Sequence, residues 1–104
     1  MEYETHNNAQ INPTGTHLQG YLNAGYNELV RAFGYPQGSD GYKVDAEWTI
    51  KFSSGEVATV YNWKNGINYC GASGLHASQI THWHIGGFSE EVVELVKSAL
   101  CQDQ

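Results

Sequence analysis

Apolar and polar residues alternate along three stretches of the chain, which are residues 16–22, 43–64 and 80–87. Successive side chains of a strand point to opposite faces of a sheet, so this alternation predicts strands with one buried side. In the last stretch, "ITHWHIGG", it sends Trp83 and Ile85 to one face and His82 and His84 to the other. The middle stretch is long enough for a hairpin.

Two other segments carry apolar residues with the period of a helix. The first stripe consists of Tyr26, Leu29, Val30 and Phe33, and the second of Val92, Leu95, Val96, Ala99 and Leu100. Asn23 is a candidate cap for the first helix, and Gly34 and Pro36 end it. Ser89 is the candidate N-cap of the second helix.

The predicted element order is therefore β-α-β-β-β-α. Two amphipathic helices need an apolar cover, and one face of a mainly antiparallel sheet offers it. We predict the α+β class, with both helices packed on one face of the sheet. Residues 1–15 are polar and lack periodicity, so we expect a flexible arm there and a single domain over residues 16–104. We expect a long loop over residues 65–79, which contain three glycines.

A two-residue turn at Ser54-Gly55 predicts the register of the hairpin. This turn sets Trp48 opposite Tyr61 on the apolar face. It leaves Ala58 and Val60 on the polar face, where an apolar spot would favour a homodimer.

Charge and cysteine content narrow the function classes. The net charge of −6 over 104 residues argues against duplex DNA binding, which depends on clustered Lys and Arg. We recognise no secretory signal and no apolar run of membrane-spanning length, so we expect a cytoplasmic protein without membrane association. The two cysteines, Cys70 and Cys101, do not form a metal-binding motif.

His82 and His84 raise the question of metal binding or catalysis. Two histidines at i and i+2 of a strand can bind zinc when a third ligand converges, and the candidates are Asp45, Glu47 and His17. The sequence contains no HExxH motif and no evident set of nucleophile, base and orienting residue. We predict no metal, no cofactor and no catalytic residue, and a small metal-dependent enzyme using this face is kept as an alternative.

The polar face of the sheet offers a different chemistry, the binding of a small anion. Three of the five basic residues, Lys43, Lys51 and Lys64, fall on this side in the predicted register. The loop "GYPQGSDGYK" adds two tyrosines for stacking and glycines whose backbone N–H groups can approach an oxyanion. The candidate ligand-binding residues are Tyr35, Tyr42, Lys43, Asn62, Lys64, His82 and His84.

Three runs carry a family resemblance: "LQGYLNAGYNELVRAFGYPQGSDGYKVDAEWTIKF", "EVATVYNWKNG" and "ITHWHIGG". Together they resemble short, uncharacterised accessory proteins of tailed phages and related mobile genomes, over roughly Thr16 to Gly87. The resemblance implies a protein of the infected host's cytoplasm, and such proteins often counter host defence by binding. It implies no catalytic motif and no particular binding residue.

These observations predict a non-enzymatic protein that sequesters a nucleotide immune signal, such as a cyclic dinucleotide. Lysines and backbone N–H groups would hold the phosphates, and aromatic rings would hold the bases. The alternative is an inhibitor that binds a host defence protein or nuclease directly, as an anti-CRISPR or DNA-mimic protein does. A structural protein of the virion is a further class, but the long exposed arm or repeat expected of it is weak in this sequence.

Overall fold

The computed structural model describes residues 2–37 and 44–102. Its strands are β1 (Tyr3–Thr5), β2 (His17–Asn23), β3 (Glu47–Phe52), β4 (Val57–Tyr61) and β5 (His82–Gly87), and its helices are α1 (Tyr26–Phe33), α2 (Ile67–Cys70) and α3 (Glu91–Gln102). The strands form one antiparallel sheet in the order β1-β3-β4-β5-β2. The predicted α+β class is confirmed. The glycine-rich stretch predicted as a loop contains α2 and two short 3-10 turns, Gly71–Ser73 and Ala77–Gln79.

The two longer helices cover one face of the sheet, and the core lies between these layers. Leu29 and Phe33 of α1, together with Val92 and Val96 of α3, join the apolar residues of β3, β4 and β5 in one buried cluster. No helix in the described ranges is long and apolar enough to cross a membrane.

Two fully buried tryptophans tie the sheet to α1. The rings of Trp48 and Trp83 meet edge to face, with centroids 5.3 Å apart. Each indole N–H donates to a backbone carbonyl beside α1, Trp83 to Ala24 at 2.9 Å and Trp48 to Gly34 at 2.7 Å. Because a buried indole N–H needs a partner, these bonds fix both ends of α1 against the sheet.

The predicted hairpin register is wrong by one residue. Trp48 pairs with Val60 and Glu47 pairs with Tyr61, because the turn contains three residues rather than two. The backbone N–H of Phe52 donates to the carbonyl of Glu56 at 2.9 Å, and Gly55 between them has a φ of 96°. This is the geometry of a three-residue hairpin loop whose last residue is left-handed, a conformation that glycine adopts readily.

The corrected register changes which residues are buried. Ala58 and Val60 are fully buried in the core, so the apolar spot from which a homodimer was predicted does not exist. Tyr61 moves from the predicted core face to the face that the helices leave open.

The N-terminal segment differs from the expected flexible arm. Tyr3–Thr5 pair with β3, and the hydroxyl of Tyr3 donates to the carbonyl of Ala32 at 2.9 Å. The ring of Tyr3 also packs edge to face against Phe33 and Phe52. A strand of three residues is too short to show a period, so the sequence pattern does not predict it.

Candidate functional site

The candidate site lies on the sheet face opposite the helices. One row of register partners crosses four strands there and consists of Glu47, Tyr61, His84 and Tyr21. His82 points to the same face from two positions before His84, as the alternation of β5 predicted. Trp63 follows two residues after Tyr61, just beyond β4.

His84 stands at the centre of four neighbouring rings. We call Tyr21, Tyr61, Trp63, His82 and His84 the ring cluster. The imidazole of His84 contacts the other four rings, with centroid distances between 5.0 Å and 6.4 Å. The imidazole of His82 also stacks on Tyr21, at 5.5 Å and an interplanar angle of 19°.

The ring cluster is open to solvent. Tyr21 is 53% exposed and Trp63 is 40% exposed, although both are large aromatic side chains. Exposed aromatic rings grouped on an antiparallel sheet form a surface on which planar groups such as nucleobases can stack. The arrangement therefore favours a flat, unsaturated ligand.

The central rings of the cluster are uncharged at neutral pH. Burial lowers the pKa of His84 below its ordinary value, and the neighbouring His82 lowers this pKa further. Burial raises the pKa of the Tyr61 hydroxyl, with smaller contributions from Glu47 and Tyr21. A neutral imidazole and a neutral phenol present π faces without fixed charge, which suits stacking better than ion pairing.

Lys64 places a positive charge at the rim of the cluster. Its Nζ lies 5.8 Å from the ring centroid of Trp63 and 5.5 Å from that of Tyr69. The backbone of Lys64 is left-handed, with a φ of 60°, and the residue is exposed. Lys51, which was predicted on the same face as His82 and His84, lies opposite Val57 at the hairpin end of the sheet, four residues along β4 from Tyr61.

A groove of about 360 Å³ adjoins the ring cluster. Thr59 and Gly86 line its floor, and Glu47, Tyr61 and Trp63 line it from the cluster side. Residues of segment 13–17, which was predicted to belong largely to the flexible arm, form another wall. The volume lies within the range of small-molecule sites.

A larger depression, of about 820 Å³, lies beside the hairpin turn. Glu2 and Glu4 line it together with Lys51. Two carboxylates near one lysine make it a poorer site for an anion than the ring cluster.

Of the predicted site residues, His82, His84 and Lys64 come together around the ring cluster, but Asn62 does not belong to a binding surface. Asn62 is fully buried, and its Oδ1 accepts hydrogen bonds from the backbone N–H groups of Asp45 at 2.7 Å and Ala46 at 3.0 Å. Its Nδ2 donates to Asp45 and to Asn65. The amide is thus fully used in holding the loop after β4.

The predicted tyrosines and the remaining lysine lie elsewhere. Tyr35 is 72% exposed, but none of the cluster's ring contacts described above includes it. Its carbonyl instead forms a hydrogen bond of 2.9 Å with His6 Nε2. Tyr42 and Lys43 lie outside the described residues.

Sequence reasoning missed Tyr21, Tyr61 and Trp63 as site residues. The alternation of residues 16–22 sends Tyr21 to the side opposite Leu18 and Leu22, so a signal for it existed. A turn that is one residue too short places Tyr61 on the apolar face, and with it Trp63, two residues further along the chain.

His82 and His84 share a face, which is the arrangement that zinc binding by this pair would require. Within residues 2–37 and 44–102, however, no group of three or more His, Cys, Asp or Glu side chains is close enough to hold a metal ion. The proposed third ligands Asp45, Glu47 and His17 therefore do not complete a site with this pair.

No protein-family model matches the chain, and no curated protein matches it. Function is therefore inferred from the geometry of the ring cluster and its surroundings.

Proposed function

We propose that this protein binds a nucleotide by stacking its base on the ring cluster and releases it unchanged. The observation that supports this most strongly is the contact of His84 with four other rings on an open sheet face. Stacking on an aromatic ring contributes roughly 1–3 kcal/mol per base, and it tolerates different bases because each has a π face.

The surroundings of the cluster suit the rest of a nucleotide. Lys64 lies beside Trp63 and supplies a positive charge for a phosphate. The groove, which Trp63 also lines, offers space for a sugar. A nucleotide with its base on the rings, its sugar in the groove and its phosphate near Lys64 uses both features.

A small nucleotide suits the charge of the protein better than a nucleic acid strand. The chain carries a net charge of −6, which repels a polyanion over its whole length. A ligand with one or two phosphates meets less of this repulsion, so that stacking can dominate its binding.

The resemblance to accessory proteins of tailed phages gives this binding a biological role. In the host cytoplasm, a protein that holds a nucleotide immune signal such as a cyclic dinucleotide removes it from its receptor. Sequestration needs only affinity and abundance, and no catalytic residue takes part in it.

A retention experiment tests this proposal. The purified protein is incubated with a mixture of linear and cyclic nucleotides, freed of unbound ligand, denatured by heat, and the released material is chromatographed. We expect an unchanged nucleotide from the wild type and from Tyr35→Ala, and much less from Trp63→Ala. Tyr35→Ala is the matched control, because it removes an exposed ring outside the cluster.

Two other outcomes would contradict the proposal. A chemically altered nucleotide would indicate an enzyme. Recovery of no nucleotide from any sample would contradict sequestration, and the inhibitor that binds a host protein would then be tested by capture from lysate.

A further inference from the structure

Thr59 carries an unbonded hydroxyl on the floor of the groove. The residue is only 5% exposed, and its hydroxyl forms no hydrogen bond to another described residue. Every fully buried polar side-chain atom in the described ranges has a partner. Since the hydroxyl of Thr59 has no partner, it is not fully buried. It is the part of Thr59 that is exposed in the groove.

Gly86 keeps the space around this hydroxyl open. A Cβ atom at Gly86 would lie 2.5 Å from Thr59 Oγ1, which is closer than any side chain could approach. The two residues are register partners on β4 and β5. The glycine therefore leaves a cavity where another residue would cover the hydroxyl.

Other threonines nearby are bonded within the protein. Thr49 is the register partner of Thr59 on β3 and is 1% exposed, and its Oγ1 accepts a hydrogen bond of 2.8 Å from Gln37 Nε2. Thr16, which also lines the groove, donates from its hydroxyl to the carbonyl of Pro13 at 2.8 Å. A nearly buried hydroxyl that has no partner, in a groove of ligand size, points to a polar group of a ligand.

The charge of the groove restricts what that group can be. Glu47 contributes a carboxylate to the lining, so a phosphate in the groove would be repelled. A neutral hydroxyl meets no such repulsion and can form a hydrogen bond with Thr59. Because Tyr61 and Trp63 belong to both the groove and the ring cluster, a group attached to a stacked base reaches the groove directly.

We infer that the groove over Gly86 holds the ribose of the bound nucleotide, with a sugar hydroxyl hydrogen-bonded to Thr59 Oγ1. This inference rests on the proposed nucleotide binding and adds a preference for ribonucleotides. The base lies on the ring cluster, the ribose lies over Gly86, and the phosphate extends towards Lys64. Loss of the bonded sugar hydroxyl weakens binding roughly three- to tenfold, as expected for one hydrogen bond.

The test compares AMP and GMP with their 2′-deoxy and 3′-deoxy analogues by calorimetric titration. The wild type should bind the ribonucleotide more tightly than at least one of the analogues. Thr59→Val keeps the shape of the side chain and removes the hydroxyl, so it should abolish this preference while leaving affinity for that analogue unchanged. Thr59→Ser retains a hydroxyl and should retain the preference.

The other outcomes contradict the ribose inference, the role of Thr59 or nucleotide binding itself. Equal affinity of the wild type for a ribonucleotide and both of its analogues overturns the ribose inference and leaves nucleotide binding intact. A preference that persists in Thr59→Val overturns the role of this hydroxyl. Failure of AMP, GMP and all analogues to bind contradicts the proposed function and the inference together.

Thermal melts should show that both variants fold like the wild type, since Thr59→Val breaks no hydrogen bond within the described protein.

Discussion

Tyr61 and His84 are register partners on β4 and β5, and their ring centroids lie 5.5 Å apart on the open face of the sheet. Their contact depends on the hairpin turn, because a register shifted by one residue would turn Tyr61 towards the helices. The register that this turn sets therefore places Tyr61 in the candidate site and also buries Ala58 and Val60.

Gly55→Ala should destabilise the protein by roughly 1–2 kcal/mol, since an alanine at a φ of 96° is strained. No atom lies within 4 Å of the added methyl group, so the cost reflects the backbone alone. Urea denaturation measures the change, with Ser54→Ala in the same turn as the control. Equal stability of the two variants would contradict the three-residue loop.

The alternation of β5 was read correctly from the sequence, because Trp83 and Ile85 differ so strongly in polarity from His82 and His84. The hairpin register was not, because both registers bury Trp48, Ile50 and Phe52, and differ only in the β4 residues that face them. The choice depended on whether Gly55 ended a loop of two residues or of three, which composition does not decide.

Trp83→Ala should lower the free energy of unfolding by about 3–5 kcal/mol, as expected for a fully buried aromatic side chain. The double variant His82→Ala/His84→Ala should cost much less, because His82 is exposed and His84 is only partly buried. Thermal and urea melts rank the variants. The opposite ranking would mean that the faces of β5 are reversed.

The stability of the protein should fall as the pH drops below about 6.5, the ordinary pKa of histidine. The pKa of His84 is lowered in the folded protein, so the unfolded chain takes up a proton at a pH where the folded protein resists it. The contribution of His84 to the stability of the protein is fully present above the pKa that His84 has in the unfolded chain. It is lost as the pH falls through the lower pKa of His84 in the folded protein. Urea melts between pH 7 and pH 5 should show a shallower decline for His84→Gln than for the wild type. Identical slopes would argue against a shifted His84.

Tyr3→Ala should destabilise the protein by roughly 1.5–3 kcal/mol, because its ring packs on Phe33 and Phe52 and its hydroxyl bonds to Ala32. Glu4→Ala, on an exposed neighbour in the same strand, should change stability by less than about 0.5 kcal/mol. Urea denaturation compares them. A Tyr3 variant as stable as the wild type would indicate that this segment is a flexible arm after all.

The sequence predicted part of the candidate site, namely the shared face of His82 and His84. It did not reveal the role of Asn62, because a buried asparagine that caps backbone N–H groups looks the same in sequence as an exposed one. Nor did it reveal the groove, since the pairing of Thr59 with Gly86 joins strands separated by the whole of residues 62–81.

Titration of the protein with AMP and GMP, followed by tryptophan fluorescence and calorimetry, tests the central claim most directly. We expect saturable binding with quenching of tryptophan fluorescence as the base stacks at Trp63. Tyr21→Ala should weaken the affinity by roughly 1–3 kcal/mol, and Tyr35→Ala should leave it unchanged. Binding that is equally strong in Tyr21→Ala, Trp63→Ala and the wild type, or no binding by the folded wild type, would contradict a nucleotide site on the ring cluster.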